Sequence, residues 1–200
     1  VLLVARDLLA RRSELAALRV KDFAPSPATG GGTVRLRRSK TDQEGQGATL
    51  YLGPAAWAAV QAWREAATAA GADMTAGPLF RPVHMTGRVR DRALRPADVH
   101  EVVRKCARRA APVLRRLGVA PEALSGHSAR VGMAQDLVAA GFDLAAIMQA
   151  GRWQSAAMVA RYTAAQQAER GAVAQFHAQF DEVGGDSRPD GGRPGRARRG

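Results

Sequence analysis

Leu124-Ser125-Gly126-His127-Ser128-Ala129-Arg130-Val131-Gly132, then Ile147-Met148-Gln149-Ala150-Gly151-Arg152-Trp153 with Arg161-Tyr162 beyond it, are the stretches whose reading decides the fold. His127 and Arg130 stand one turn apart, which puts both on one face of a helix that opens just after Gly126. The imidazole and the first amides of that helix can then face an anion such as a phosphate. Trp153 and Tyr162 are nine residues apart. Asp143 and Ser155 suit helix N-caps and Gly141 and Gly151 suit helix stops, so this half of the chain predicts helices over 128–140, 144–150, 155–163 and about 166–180.

Upstream, Leu2, Leu8, Leu9, Leu15 and Leu18 recur at roughly helical spacing with Asp7, Arg11, Arg12 and Glu14 among them, which predicts one helix or two joined helices carrying charge near the core. Pro25, Pro27 and Gly30-Gly31-Gly32 break the chain before two β-type runs, 33–37 and 48–52, which the polar loop from Ser39 to Gly47 joins as a hairpin. Pro54 suits the first turn of a helix running to about Ala70, with Trp57, Val60 and Trp63 on its core face and Gly71 as its stop. Residues 72–95 are irregular and rich in Pro, Gly and Arg, with Leu79-Phe80 as a short extended piece. Helix resumes over 96–117 with a break or kink near Pro112, because an internal proline removes a hydrogen bond and clashes with the preceding turn. The fold class is therefore mainly α with a small antiparallel β-hairpin or sheet, and no internal repeat occurs.

The 200 residues suffice for one sizeable core without disulfides. Thirty Lys and Arg against 18 Asp and Glu give a formal charge of +12, which favours a polyanionic partner, nucleic acid first; a merely solvated arginine-rich surface is the bland alternative. Cys106 is the single cysteine and has no partner for a disulfide or a thiolate zinc site, which implies an intracellular protein. No apolar run approaches the roughly 18 to 20 residues that span a bilayer, and no leader pattern opens the chain, so a soluble, cytoplasmic protein is expected. Val1-Leu2-Leu3-Val4-Ala5 begins without Met inside a helical pattern and reads as a fragment with something missing upstream. Residues 184–200 are rich in Gly, Pro and Arg with almost no apolar side chains, and read as a disordered basic tail.

The C-terminal stretches resemble the tyrosine recombinase (phage integrase) family, whose pattern is His-x-x-Arg, then a Trp or, more often, a His, then Tyr nine residues later. That family also carries an earlier Arg followed three residues on by Glu, and a Lys in a β-hairpin turn; Arg11 with Glu14, and Lys40 in Arg38-Ser39-Lys40-Thr41, fall in that order here. Six ordered positions in matching context are far more specific than His-x-x-Arg alone. The resemblance runs from Val1 to about Phe180. It implies the catalytic fold of the DNA breaking-rejoining enzymes over 1–183, with the N-terminal core-binding domain of such recombinases absent. It implies site-specific cleavage and rejoining of double-stranded DNA through a 3′-phosphotyrosyl intermediate. The catalytic set would be Arg11, Lys40, His127, Arg130, Trp153 and Tyr162, with Glu14 in support. A homo-oligomer, a tetramer on DNA, would form through the 166–180 helix.

These residue types suit that chemistry. Displacement at a phosphodiester builds negative charge on non-bridging oxygens, and planar, always charged guanidiniums such as Arg11 and Arg130 match those oxygens. A tyrosine hydroxyl titrates near 10, so as a nucleophile it needs a positive field or a base, and His127 with the arginines supplies both. Trp153 offers one indole N–H and a buttressing ring. The leaving 5′-oxygen needs a proton, which Lys40 can give and arginine effectively cannot. Glu14 would brace the arginine helix by charge pairing. No carboxylate cluster suggests magnesium and no Gly-rich phosphate loop precedes a helix, so no metal, nucleotide or other cofactor is expected. Two alternatives remain open at this point: a type IB topoisomerase-like enzyme that relaxes supercoils with a similar residue set, and a catalytically idle DNA-binding module.

Overall fold

A computed structural model of the chain describes residues 1–37 and 47–169, with side chains through residue 164. The leading helical pattern divides into α1 (Leu2–Asp7) and α2 (Arg12–Ala17). Between them Leu9 takes a left-handed conformation, φ 43°, which turns the chain while Leu8, Leu9 and Ala10 all stay buried. That conformation is unfavourable for an L residue, so the link is held by contacts from elsewhere in the fold.

Three strands follow, β1 (Phe23–Ser26), β2 (Gly31–Leu36) and β3 (Ala48–Leu52), antiparallel in the order β1-β2-β3. The expected hairpin is β2 with β3, Val34 opposite Leu50. Pro25 does not break the chain as its composition suggests: β1 runs through it, opposite Gly32. An edge strand tolerates proline because the missing N–H can face away from the ladder. A β-carbon at Gly32 would meet the Trp57 ring at 2.3 Å, so this glycine is what lets the following helix lie on the sheet. Tyr51 is half exposed on β3.

That helix, α3 (Pro54–Ala69), starts with proline in its first turn, and the Asp7 carboxylate accepts the Gly53 N–H at 2.9 Å. Val60 is buried, and Trp63 donates its indole N–H to Leu79 O at 2.8 Å. The irregular stretch 72–95 contributes Met74, Leu79, Phe80 and Leu94 to the core. A buried arginine braces it: Arg81 donates to Ala76 O, Pro78 O and Asp91, beside backbone hydrogen bonds from Arg90 N–H to Pro82 O and from Leu94 N–H to Phe80 O.

Next come α4 (Pro96–Arg109) and α5 (Ala111–Arg116), divided at Ala110 so that Pro112 falls in the first turn of α5, where no N–H is needed. Then follow α6 (Ser128–Ala139), α7 (Leu144–Gly151) and α8 (Ala156–Glu169). The last of these corrects the expectation of separate helices over 155–163 and 166–180: Thr163-Ala164-Ala165 carries no stop signal, and alanine favours continued helix. The remainder of the expected 166–180 helix, the 184–200 tail and the hairpin turn with Lys40 lie outside the described residues.

Residues 1–163 form one compact unit, and a second begins at Ala164. Within the first, one apolar cluster joins α1, α2, the sheet, α3 and α4, and a smaller one gathers Leu9, Ala134, Ile147, Trp153 and Val159 under α6, α7 and α8. Among the described residues no helix is long and apolar enough to cross a membrane.

Candidate active site

Arg130, on the inner face of α6, is 1% exposed. Its guanidinium donates to Leu9 O in the α1–α2 link and to Gly151 O at the end of α7, and its central carbon lies 4.2 Å from the centroid of the Trp153 ring. One side chain thus joins three segments that are remote in sequence. Burial, and then the nearby charges of Arg11 and Arg152, lower its pKa to about 10, so it remains a cation at neutral pH. A fixed positive charge in a poorly solvated site acts strongly on its neighbours.

Those neighbours are His127 and Tyr162. His127 is the residue before α6, placed by a short turn in which Ser125 Oγ accepts the His127 N–H and His100 Nδ1 accepts the Gly126 N–H. Its Nε2 lies 3.2 Å from the Tyr162 hydroxyl, and the two rings meet edge to face with centroids 5.5 Å apart. Partial burial, then the charges of Arg130, Arg11 and Arg12, hold its pKa below the ordinary value. The imidazole is therefore neutral at neutral pH and able to take a proton from the hydroxyl. Tyr162 is half-buried on α8, 6.3 Å from Trp153 between ring centroids, and its backbone carbonyl accepts Gln135 Nε2 from α6 at 3.0 Å.

Arg11 caps α2 with an unusual box: its backbone N–H and its guanidinium both donate to the buried Glu14 carboxylate, each at 2.8 Å. Burial pushes the Glu14 pKa up, but the Arg11 N–H, the Arg152 charge and the Arg11 guanidinium together outweigh it and hold the group ionised. Arg12 is exposed on the same turn, its stem lying over Gly126.

Gly151 does not stop α7, as its type suggests. It is the last helical residue, and Arg152 takes the left-handed cap position. The reason is steric, since a β-carbon at Gly151 would meet the Trp153 ring at 1.9 Å. Gly151→Ala is accordingly expected to destabilise folding by about 1–3 kcal/mol, the range for overpacking a tight site. Urea unfolding checks this, and an unchanged midpoint would mean that the ring does not rest against residue 151.

Arg11, Glu14, His127, Arg130, Trp153 and Tyr162 therefore occupy one neighbourhood, and Lys40 is outside the described residues. Two residues of the neighbourhood escape a sequence reading. Gln135 carries no sequence signal. Arg152 stands inside the quoted Gly151-Arg152-Trp153, but its direction depends on a backbone angle that residue type does not announce.

The phage integrase family model matches residues 1–169. The chain is 29% identical over 183 residues to the recombinase Cre of Escherichia phage P1, covering 86% of this chain and 50% of that protein. It is 30% identical over 155 residues to an integrase/recombinase XerD homologue of Selenomonas ruminantium, covering 76% of this chain and 42% of that one. The chain thus spans about half the length of the curated relatives it matches. Among solved structures it resembles the XerA recombinase, with a TM-score of 0.58, 15% identity and coverage of 92% and 57% of the two chains. It also resembles the Tn1549 transposon integrase in complex with a circular intermediate DNA, with a TM-score of 0.62, 14% identity and coverage of 91% and 57%. The fold is that of tyrosine recombinase catalytic domains. The chain belongs to the phage integrase family.

Proposed function

We propose that this chain cleaves and rejoins double-stranded DNA site-specifically, with Tyr162 as the nucleophile. The observation that carries the reading is the Tyr162 hydroxyl 3.2 Å from a His127 nitrogen that is neutral at neutral pH, beside the buried Arg130 cation. His127 accepts the hydroxyl proton, the tyrosyl oxygen bonds to phosphorus, and the bond from phosphorus to the 5′-oxygen breaks. The 3′-phosphotyrosyl linkage keeps the bond energy, and a second 5′-hydroxyl attacks it to reseal the strand. Arg11 contacts a non-bridging oxygen, Arg130 adds its field from beneath, and Trp153 supports the Arg130 guanidinium and the tyrosine with its ring. Glu14 braces Arg11.

Duplex DNA is the partner, consistent with the +12 charge, and the cytoplasm is the place of action. Copies of the chain assemble as a tetramer on DNA through the 166–180 segment, whose Val173, Phe176 and Phe180 recur at helical spacing. The test is a pool of duplexes with one strand nicked and the flanking sequence randomised, so that cleavage releases a short fragment and traps the enzyme on DNA. Covalent adduct that survives denaturant is expected; its absence would overturn the proposal.

The pH dependence follows from His127. A lowered pKa keeps the imidazole in its proton-accepting form at pH values where an ordinary histidine, near 6.5, is half protonated. The adduct rate is therefore expected to hold down to that value and fall only below it. A fall centred above 6.5 would contradict the role of His127 as base.

Lys40 is proposed as the proton donor to the leaving oxygen. Lys40→Ala should react slowly on ordinary DNA, because an alkoxide leaves poorly, and nearly normally when sulfur replaces the bridging 5′-oxygen, because a thiolate needs no proton. A residue that only steadies the phosphate would leave the same deficit on both substrates, and that result would remove Lys40 from the acid role.

A further inference from the structure

Two adjacent positions at the end of α7 favour glycine for different reasons, and only one is glycine. Gly151 is required by the Trp153 ring, which leaves no room for a β-carbon. The left-handed position that terminates the helix then falls to Arg152, at φ 55° and ψ 46°. L side chains are disfavoured there and glycine is the usual occupant. Among the described residues only Leu9 shares this feature as a non-glycine.

The Arg152 side chain reaches the residue that precedes the strained Leu9. Its guanidinium, 13% exposed, donates to Leu8 O at 3.1 Å and to Glu14 Oε2 at 2.9 Å. Leu8 O and Leu9 O, neighbouring carbonyls of the α1–α2 link, are thus held by Arg152 and Arg130 respectively, both reaching across from the α6–α7 side. Glu14 is gripped from two directions, by Arg11 through its N–H and one guanidinium nitrogen, and by Arg152, 138 residues away in sequence. The Arg152 Nε–H is buried with no acceptor, so the arrangement does not optimise this arginine's own hydrogen bonding.

We propose that Arg152 is a positioning residue that fixes Glu14 and the α1–α2 link, so that the Arg11 guanidinium is presented to the scissile phosphate in a single orientation. A carboxylate bound to Arg11 alone could move with it. Held also from α7, it becomes a fixed post against which Arg11 is aligned, the kind of outer support that sets the geometry of a charged group contacting substrate. Arg152 itself touches no reacting atom. The inference rests on the reading of Arg11 as a phosphate ligand.

The experiment measures adduct formation by the full chain on the nicked duplex pool, together with DNA affinity, for Arg152→Gly, Arg152→Lys, Arg11→Ala and the Arg11→Ala/Arg152→Gly double variant. Arg152→Gly suits the left-handed backbone and removes only the side chain. It is expected to slow adduct formation roughly 10- to 100-fold, the scale of a misaligned group distant from the chemistry, with DNA affinity nearly unchanged. Free guanidinium ion should restore part of the rate, since the side chain leaves a space of that shape beside Glu14. Arg152→Lys should fall between the parent and the glycine variant, because one ammonium cannot serve Leu8 O and Glu14 as the planar fork does; this variant carries the test if the glycine variant does not fold. On the Arg11→Ala background, Arg152→Gly should add little further loss. Parental rates for Arg152→Gly and Arg152→Lys beside an impaired Arg11→Ala would overturn the inference, as would multiplying losses in the double variant. A parental rate for Arg11→Ala itself would instead sink the reading of the site on which the inference rests.

Discussion

Tyr162→Phe is expected to form no covalent adduct with nicked DNA while binding that DNA nearly as the parent does. Only a hydroxyl is removed, from a half-buried ring that keeps its contacts with His127 and Trp153. The backbone carbonyl that receives Gln135 is unaffected, so α8 stays anchored to α6. Phenylalanine has no oxygen to bond to phosphorus, and neighbouring charges cannot replace the missing nucleophile. Gel separation under denaturing conditions reads the adduct, and retention of labelled duplex on a filter reads binding. Adduct at the parental rate would remove Tyr162 from its role; loss of both readouts would show that the hydroxyl serves DNA binding or the fold as well, and would contradict a purely nucleophilic role.

Arg130→Ala is the second large effect and acts at two levels. Loss of one preorganised stabiliser of transition-state charge is worth roughly 10² to 10³ in rate. The same substitution leaves Leu9 O and Gly151 O without their donor and opens space beside Trp153, so the melting temperature should fall as well. The rate is to be measured well below the new melting point, where the folded population is complete. Arg11→Ala should give a rate loss on the same scale, whereas Arg12→Ala should give much less, because Arg11 is the one braced by Glu14 and Arg12 lies exposed over Gly126. Equal losses at positions 11 and 12 would reverse that assignment.

The helices from Pro96 to Gly151 were legible because proline, glycine and capping residues punctuate an apolar repeat, and Asp143 does cap α7, its carboxylate accepting the Ala146 N–H at 2.7 Å. Strand β1 was not legible, since Pro25 reads as a breaker unless the strand is known to lie at an edge. The order in residues 72–95 was hidden for a related reason. It comes from Arg81, an arginine among many, whose guanidinium gathers Ala76 O and Pro78 O, and from backbone bonds such as Leu94 N–H to Phe80 O, none of which an apolar period announces. At the site, the family resemblance pointed to Arg11, His127, Arg130, Trp153 and Tyr162, but the sequence did not give the depth of each: His127 lies at the surface and Arg130 beneath it, although they stand one helical turn apart. Gly151 illustrates the limit most clearly. A glycine at a helix end suggests a left-handed cap, yet here its missing β-carbon makes room for an indole, and the cap passes to Arg152.

The central claim is that Tyr162 forms the bond to DNA, and the most direct measurement is the mass of the modified peptide. After adduct formation, nuclease digestion and trypsin cleavage following Arg161 and Arg170, the peptide 162–170 contains a single tyrosine. It is predicted to carry a nucleotide residue attached through its 3′-phosphate to that tyrosine, with Tyr51 unmodified. A nucleotide on Tyr51, on a serine or on a histidine, with peptide 162–170 at its unmodified mass, would contradict the account.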